Sequence, residues 1–329
     1  MTITFVTNNI EDFQGGLHTT TSTYFDATYT DRAIYENSPT NSTQPLSIGH
    51  NVDVSAAASV SLHFDFYGPL SNSSVADGDW GRFRSPDGSL MVYLDFLDGN
   101  VRCNCYNAAG SSATGGSSPI IDGSVNSYDL IYEDDGVNCT ATLYQNETII
   151  STSTLAAAGG KKMPVSMQFA HNDMFGTPGV FAYSQIIFAH DESTVGMKLE
   201  RLVADTIGFY TDMSATITEI NDYDRGTGWS SGTATDKNSF NLPTYTTPAG
   251  RLIHSLNAQT TLRIGTTGPQ NIRQFLRIGG TDYAAAADYT PTAHQFGKHC
   301  DSWTTDPSTA VAWTGAGVSA AEMGFEAKT

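Results

Sequence analysis

Residues 89–107, SLMVYLDFLDGNVRCNCYN, hold two strands and the turn between them. Residues 90–97 are rich in the apolar and aromatic side chains that suit a pleated surface. Asp98-Gly99 is a two-residue hairpin signal, and residues 101–106 run back. Side chains alternate across a strand, so Val101, Cys103 and Cys105 face inward when Arg102, Asn104 and Tyr106 face out.

The pattern extends in both directions. Upstream, VSLHFDF puts Val60, Leu62, Phe64 and Phe66 on one face and Ser61, His63 and Asp65 on the other. Downstream, residues 127–133 predict a strand, Asp134-Asp135-Gly136 a turn, and residues 137–144 a strand that turns at Gln145-Asn146 into residues 147–154. FAYSQIIFAH and VGMKLERLV predict two further strands. Residues 1–6 predict a strand, and residues 37–45 and 108–123 predict loops.

Near Ala204 the pattern restarts. Strands are expected around residues 213–220, 251–263 and 272–278, with Gly279-Gly280 as a hairpin into residues 281–283. In WTTDPSTAVAWT, Trp303 ends a strand and Asp306-Pro307 suits a turn or a helix N-terminus, with Asp capping and Pro at the first position. Thr314 or Ser319 is placed to cap a short helix. Ser319 and Glu322 have capping-box spacing, Gly324 is a helix stop, and Phe325 and Ala327 alternate in a last strand. Short strands with close turns and little helix predict an all-β protein of two sandwich-type domains, 1–203 and 204–329, with no flexible linker.

Composition narrows the function. The chain has 329 residues, 39% hydrophobic and 15% charged, and a net charge of −18. Its 16 basic residues are nowhere denser than Lys161-Lys162, which argues against nucleic acid and anionic membrane surfaces as partners. No apolar stretch has the length of a membrane span, and no export signal is legible at the start. Cys103, Cys105, Cys139 and Cys300 are expected as free thiols of a protein made in a reducing cytoplasm. No GxSxG, HExxH or phosphate-binding loop occurs, and no enzyme activity is expected.

YDLIYEDDGVNCTATLYQNETIISTST and FAYSQIIFAHDEST resemble the concanavalin A-like (laminin G-like) sandwich family. SQIIFAHDESTVGMKLERL, TTGPQNIRQFLRIGGTDY and WTTDPSTAVAWTGAGVSAAEMGFEA resemble segments of tailed-phage and prophage virion proteins. The resemblance covers roughly residues 55–329. It implies a concanavalin A-like jelly-roll sandwich followed by a smaller jelly-roll-like β-sandwich, in a virion protein made in the host cytoplasm. Glucanases of the sandwich fold carry an ExDxxE type of run, which is absent; Asp95 and Asp98 have odd spacing.

The candidate sites follow. Trp80, His171, Asn172, Asp173 and Phe175 have the residue types of a sugar site, an aromatic face ringed by polar groups, and are expected on loops. Asp77 and Asp79 are candidates for one structural calcium ion, with no other cofactor expected; Asp134-Asp135 and Asp173 are further oxygen donors, although Asp-Gly pairs also simply make turns. His294 and His299 fall on opposite faces of a strand and do not make a joint ligand pair. Phe275, Leu276, Trp303 and Trp313 are the expected assembly contacts of a homo-oligomer, with a trimer favoured. The expected function is a virion-surface structural protein: a capsid decoration or head-associated fibre protein touching major capsid or tail proteins. The alternative is a tail-associated lectin that recognises host surface polysaccharide.

Overall fold

The computed structural model describes residues 2–7, 34–37, 46–49, 53–67, 78–97, 99–119, 124–169, 180–214, 216–221, 228–291 and 297–329. The chain divides into two compact units, Met1–Glu200 and Arg201–Thr329.

The strands of the first unit are β1 (Thr2–Thr7), β2 (Ile34–Asn37), β3 (Leu46–Gly49), β4 (Ser59–Tyr67), β5 (Gly78–Arg84), β6 (Leu90–Leu97), β7 (Asn100–Tyr106), β8 (Ser112–Thr114), β9 (Ser118–Pro119), β10 (Asn126–Asp134), β11 (Asn138–Gln145), β12 (Thr148–Ala156), β13 (Ser166–Phe169) and β14 (Val180–His190). One sheet runs β1-β14-β4-β10-β11-β12, with β2 also on β14. The other runs β3-β13-β5-β6-β7-β8, with β9 on β7. Neighbours such as β14 and β4, or β13 and β5, are far apart in sequence, so the chain crosses repeatedly between the sheets, as in a jelly roll.

The core lies between the two sheets. Leu62, Phe64 and Phe66 of β4 and Tyr128, Leu130 and Tyr132 of β10 meet Trp80 and Phe83 of β5 and Val92, Leu94 and Phe96 of β6. Each is removed from water, which stabilises by roughly 1.5–3 kcal/mol per large apolar side chain. Cys103 and Cys105 point into this core as the alternation requires, and all four cysteines are free.

VGMKLERLV is not a strand. Residues 191–200 instead form an irregular strap across the outer face of the first sheet. Asp191 Oδ1 accepts from the backbone N–H groups of Ala58 and Ser59, at 2.6 and 3.2 Å. Ser61 donates to the carbonyl of Glu192 (2.7 Å), and the Leu199 N–H donates to Gln185 Oε1 (3.0 Å). Gln185 has φ 51° at an irregularity in the β4–β14 register, which turns its amide toward the strap. Apolar periodicity alone does not reveal that these contacts are polar. Residues 108–123, expected as loop, contain the short strands β8 and β9 among the part described.

The second unit has β15 (Thr206–Thr211), α1 (Ile217–Asn221), β16 (Lys237–Asn241), β17 (Leu256–Leu262), β18 (Asn271–Ile278), β19 (Thr281–Ala284), β20 (Gly297–Trp303), α2 (Gly315–Ser319) and β21 (Ala321–Lys328). A five-stranded sheet, β15-β16-β21-β18-β19, and a two-stranded ribbon, β17-β20, share a core around Phe240, Ala258, Leu276, Trp313 and Met323. The strand expected at 213–220 lies earlier, at β15. The segment after it is the short helix α1, started by a reciprocal pair: the Thr216 N–H donates to Glu219 Oε2 (2.5 Å) and the Glu219 N–H to Thr216 Oγ1 (3.4 Å). Thr314 caps α2, accepting from the Gly317 N–H. Ser319 and Glu322 do not form a capping box. The Ser319 hydroxyl returns to the Gly315 carbonyl (2.8 Å), and Glu322 already belongs to β21. Gly324 is not a helix stop but sits mid-strand, opposite Phe275.

The expected assembly residues serve the fold. Leu276 and Trp313 are buried in the second core, and the Trp313 indole N–H donates to the Trp303 carbonyl (2.7 Å). Trp303 is half-buried against the same core. Phe275 is buried on the other side of the sheet, its ring lying over Gly324 beneath Tyr210 and Lys237. A side chain buried within its own unit has no apolar surface left for a partner, so none of these three buried residues is an assembly contact. No helix among the described residues is long and apolar enough to cross a membrane.

Candidate functional site

The outer faces of the two sheets in the first unit differ. Around β4 and β10 the face of the first sheet is covered by the strap. His63 and Asp129 stand opposite each other on β4 and β10, Nδ1 2.9 Å from Oδ1. His63 Nε2 lies 3.6 Å from Asp65 Oδ1, and the Lys198 ammonium reaches Asp65 at 3.2 Å and Ser127 at 2.8 Å. Burial opposes charge on His63, but the carboxylates of Asp129 and Asp65 outweigh it and raise the imidazole above its ordinary range. Burial also works against ionised Asp65, and His63, Lys198 and Ser127 overcome it and hold this carboxyl below its usual range. His63, Asp65 and Asp129, with Lys198 closing over them from the strap, form the network that fastens the strap to the sheet.

The face of the second sheet carries a cross-strand row. The β13–β5 register sets Gln168 opposite Arg82. Arg82 faces Tyr93 on β6, Tyr93 faces Asn104 on β7, and Asn104 faces Thr114 on β8. These residues point outward because their neighbours Phe83, Val92, Leu94, Cys103, Cys105, Met167 and Phe169 fill the core. Beside the row, Arg84 donates through Nε to Gln168 Oε1 (2.9 Å) and through Nη1 to the Gly88 carbonyl (2.8 Å). Arg102 grips Asp95 Oδ2 through Nε and Nη2, at 2.8 and 2.5 Å. The Asn104 amide donates to the Tyr93 carbonyl (3.3 Å) and lies deepest; Arg82, Arg84, Tyr93, Asp95, Arg102 and Gln168 are half-buried. The result is a continuous face of aromatic, amide and guanidinium groups on four adjacent strands, bordered by Thr114 on a fifth.

This is not the site the sequence suggested. Trp80, expected on an exposed loop, is 1% exposed and lies in β5 among Phe64, Phe66 and Tyr128, with ring centroids at 5.6, 5.3 and 4.7 Å. An irregularity in the β5–β6 register between Asp79 and Gly81 accompanies its inward aim. No face of the indole is left to stack on a sugar. His171, Asn172, Asp173 and Phe175 lie outside the described residues, as do Asp77, Asp98 and His294. Asp79 is placed by its backbone opposite Asp95, with its side chain outside the description. Among the described residues no group of three or more His, Cys, Asp or Glu is arranged to hold a metal ion. Asp134 and Asp135 accept the N–H groups of their own turn. His299 stacks on Tyr289 with ring centroids 4.3 Å apart. The sequence did signal part of this face: Arg102 and Asn104 were expected to face out, and the Asp98-Gly99 hairpin pairs their strand with that of Tyr93, but Gln168 and Arg82 come from two other strands whose register no local pattern gives.

No protein-family model matches this chain, and no curated protein matches it. Solved structures are similar to it at a distance. Cellulose induced protein Cip1 is 11% identical with a TM-score of 0.40, over 56% of this chain and 89% of that one. The Botulinum Neurotoxin Type G receptor binding domain is 10% identical with a TM-score of 0.34, over 52% of this chain and 40% of that one. The alginate lyase from Corynebacterium sp. is 8% identical with a TM-score of 0.33, over 48% and 76%.

Proposed function

We propose that this chain is a non-enzymatic virion-surface protein whose first unit binds glycans of the host surface through the outer face of its second sheet. The observation that carries the binding part is the row Gln168–Arg82–Tyr93–Asn104, held in register across four strands and partly accessible. Amide and guanidinium groups beside an aromatic ring match a sugar's hydroxyls and its apolar face, and strands present them without the entropy cost of ordering a loop. Binding without cleavage fits Asp95, whose carboxylate is committed to Arg102. The virion setting rests on the sequence resemblance of residues 184–202 and of the C-terminal segments. In this reading the second unit provides oligomerisation and attachment to capsid or tail proteins, and its exposed apolar residues Phe209, Leu252 and Val311 are its outward contacts.

A glycan screen of the full chain tests the binding. Retention on at least one glycan is expected, with affinity falling about tenfold in Tyr93→Ala, the size expected from losing an aromatic contact. No retention on any glycan overturns it. Antibody labelling of purified particles in the electron microscope tests the setting: label on head or tail is expected, and particles without label overturn it.

A further inference from the structure

We infer that copies of this chain meet through the outer face of the five-stranded sheet in the second unit, with Phe209 as the anchor; this rests on the reading above that the second unit provides oligomerisation. Phe240, Leu276 and Met323 fill the core of this unit, so the alternate residues of their strands, among them Lys237, Arg277 and Glu322, stand on the other face. The end of β15 folds down across that face. Its register against β16 shifts between Ile207 and Thr211. The Phe209 N–H donates to Glu322 Oε2 (2.8 Å), and the Tyr210 N–H donates to Ser239 Oγ (3.0 Å). Gly208 permits the close approach, because a Cβ there would collide with Glu322 and Ser239.

This arrangement leaves the Phe209 ring both protruding and held. The ring is on a residue 65% exposed, yet the Arg277 guanidinium lies 4.1 Å from its centroid and the Tyr210 ring meets it edge-on at 5.0 Å. Arg277 is itself bound to Asp282 (2.8 Å), which Lys237 (2.9 Å) and the Tyr210 hydroxyl (2.8 Å) also reach. A ring fixed by its neighbours loses little freedom when a partner covers it, and an aromatic ring beside an arginine is the pairing that dominates binding energy at protein interfaces. Charge then selects the partner. Residues 1–200 hold seven basic and twenty-two acidic residues, a net of −15, whereas residues 201–329 hold nine and twelve, a net of −3. The first units of two copies therefore repel each other, and the second units scarcely do. Around Phe209 the signs are equal, Lys237 and Arg277 against Asp282 and Glu322. Such a face offers no net attraction to a strongly acidic or basic partner, while a second copy presents the same two cations and two anions for cation to meet anion.

The test is analytical ultracentrifugation of the full chain over a dilution series. An assembly larger than the monomer is expected, dissociating as the chain is diluted. Phe209→Asp is expected to raise the dissociation constant about thirtyfold, the size of a lost interface anchor, and Phe209→Ser to raise it in the same direction. Leu252→Asp, which places the same charge on an exposed apolar residue outside the sheet, is the control and is expected to leave the assembly intact. Circular dichroism confirms that each variant is folded, and Phe209→Ser carries the test if Phe209→Asp is not. A chain that is monomeric at every concentration overturns the inference and, with it, the oligomerisation part of the proposed function. An assembly unchanged by either Phe209 variant overturns the inference alone and leaves oligomerisation to another surface. Equal dissociation by Phe209→Asp and Leu252→Asp shows a response to added charge and overturns it. A monomeric chain whose labelling of particles is lost in Phe209→Asp assigns the face to a different virion protein and also overturns it.

Discussion

His63 and Asp129 meet in register across β4 and β10, Nδ1 to Oδ1 at 2.9 Å, with both side chains removed from water. The pair stands on the side of the first sheet away from the apolar core, where an open sheet shows polar residues to solvent. Here the strap of residues 191–200 covers it, and Lys198 closes the network on Asp65. At His63 and Asp129 the sheet is therefore buried on both faces, one apolar and one polar.

The network sets a pH window for stability. The raised imidazole of His63 contributes stability that is complete below its unfolded value, near 6.5, and is lost as pH rises through the folded value. The lowered carboxyl of Asp65 contributes stability present above its unfolded value, near 3.8, and lost as pH falls through the folded value. Thermal melts across pH are expected to give a maximum in the acid-to-neutral range and a decline on the alkaline side. His63→Phe is expected to remove the alkaline decline and cost about 3–5 kcal/mol by leaving two carboxylates without their buried partner. An alkaline decline unchanged in that variant would exclude His63 as its source.

Trp80 tests the corrected site. Trp80→Ala is expected to cost about 3–5 kcal/mol in denaturant melts, because it opens a cavity between Phe64, Phe66 and Tyr128. A variant with unchanged stability and lost glycan binding would return Trp80 to the surface.

Gly324 has Phe275 across its position, so any Cβ there collides with the ring. Gly324→Ala is expected to destabilise the second unit by about 1–3 kcal/mol through overpacking. Pairing it with Phe275→Leu is expected to recover part of the loss, and simple additivity in that double-mutant cycle would contradict the contact.

The thiols divide by access. Burial pushes the thiol of Cys105 up to about 12, and burial also raises those of Cys103 and Cys139. Cys300 is the partly accessible one. A thiol reagent is expected to modify Cys300 alone in the folded protein and all four after unfolding. Mass spectrometry of the modified peptides checks this.

The sequence by itself determined the strands and their inward faces where the signal is local. Val60, Leu62, Phe64 and Phe66 alternate, Val101, Cys103 and Cys105 alternate, and all seven are buried. Period-two burial and Gly-bearing turns act over a few residues, so neighbours in the chain reveal them. The same local logic placed Thr314 at the head of α2.

Only the tertiary structure decided which faces are covered and which residues meet. Trp80 has the composition of a sugar platform around it, DGDWGRF, and an inward aim that comes with an irregular register against β6. VGMKLERLV has the apolar content of a strand, yet Lys198 and the Leu199 N–H bond Asp65 and Gln185 more than ten positions away, across the back of a sheet. The Gln168–Arg82–Tyr93–Asn104 row joins four strands, with β13 reaching β5 from more than eighty positions away in the sequence. Register between strands is set by how whole sheets bury their apolar faces against each other, a property of the assembled core that no single stretch contains.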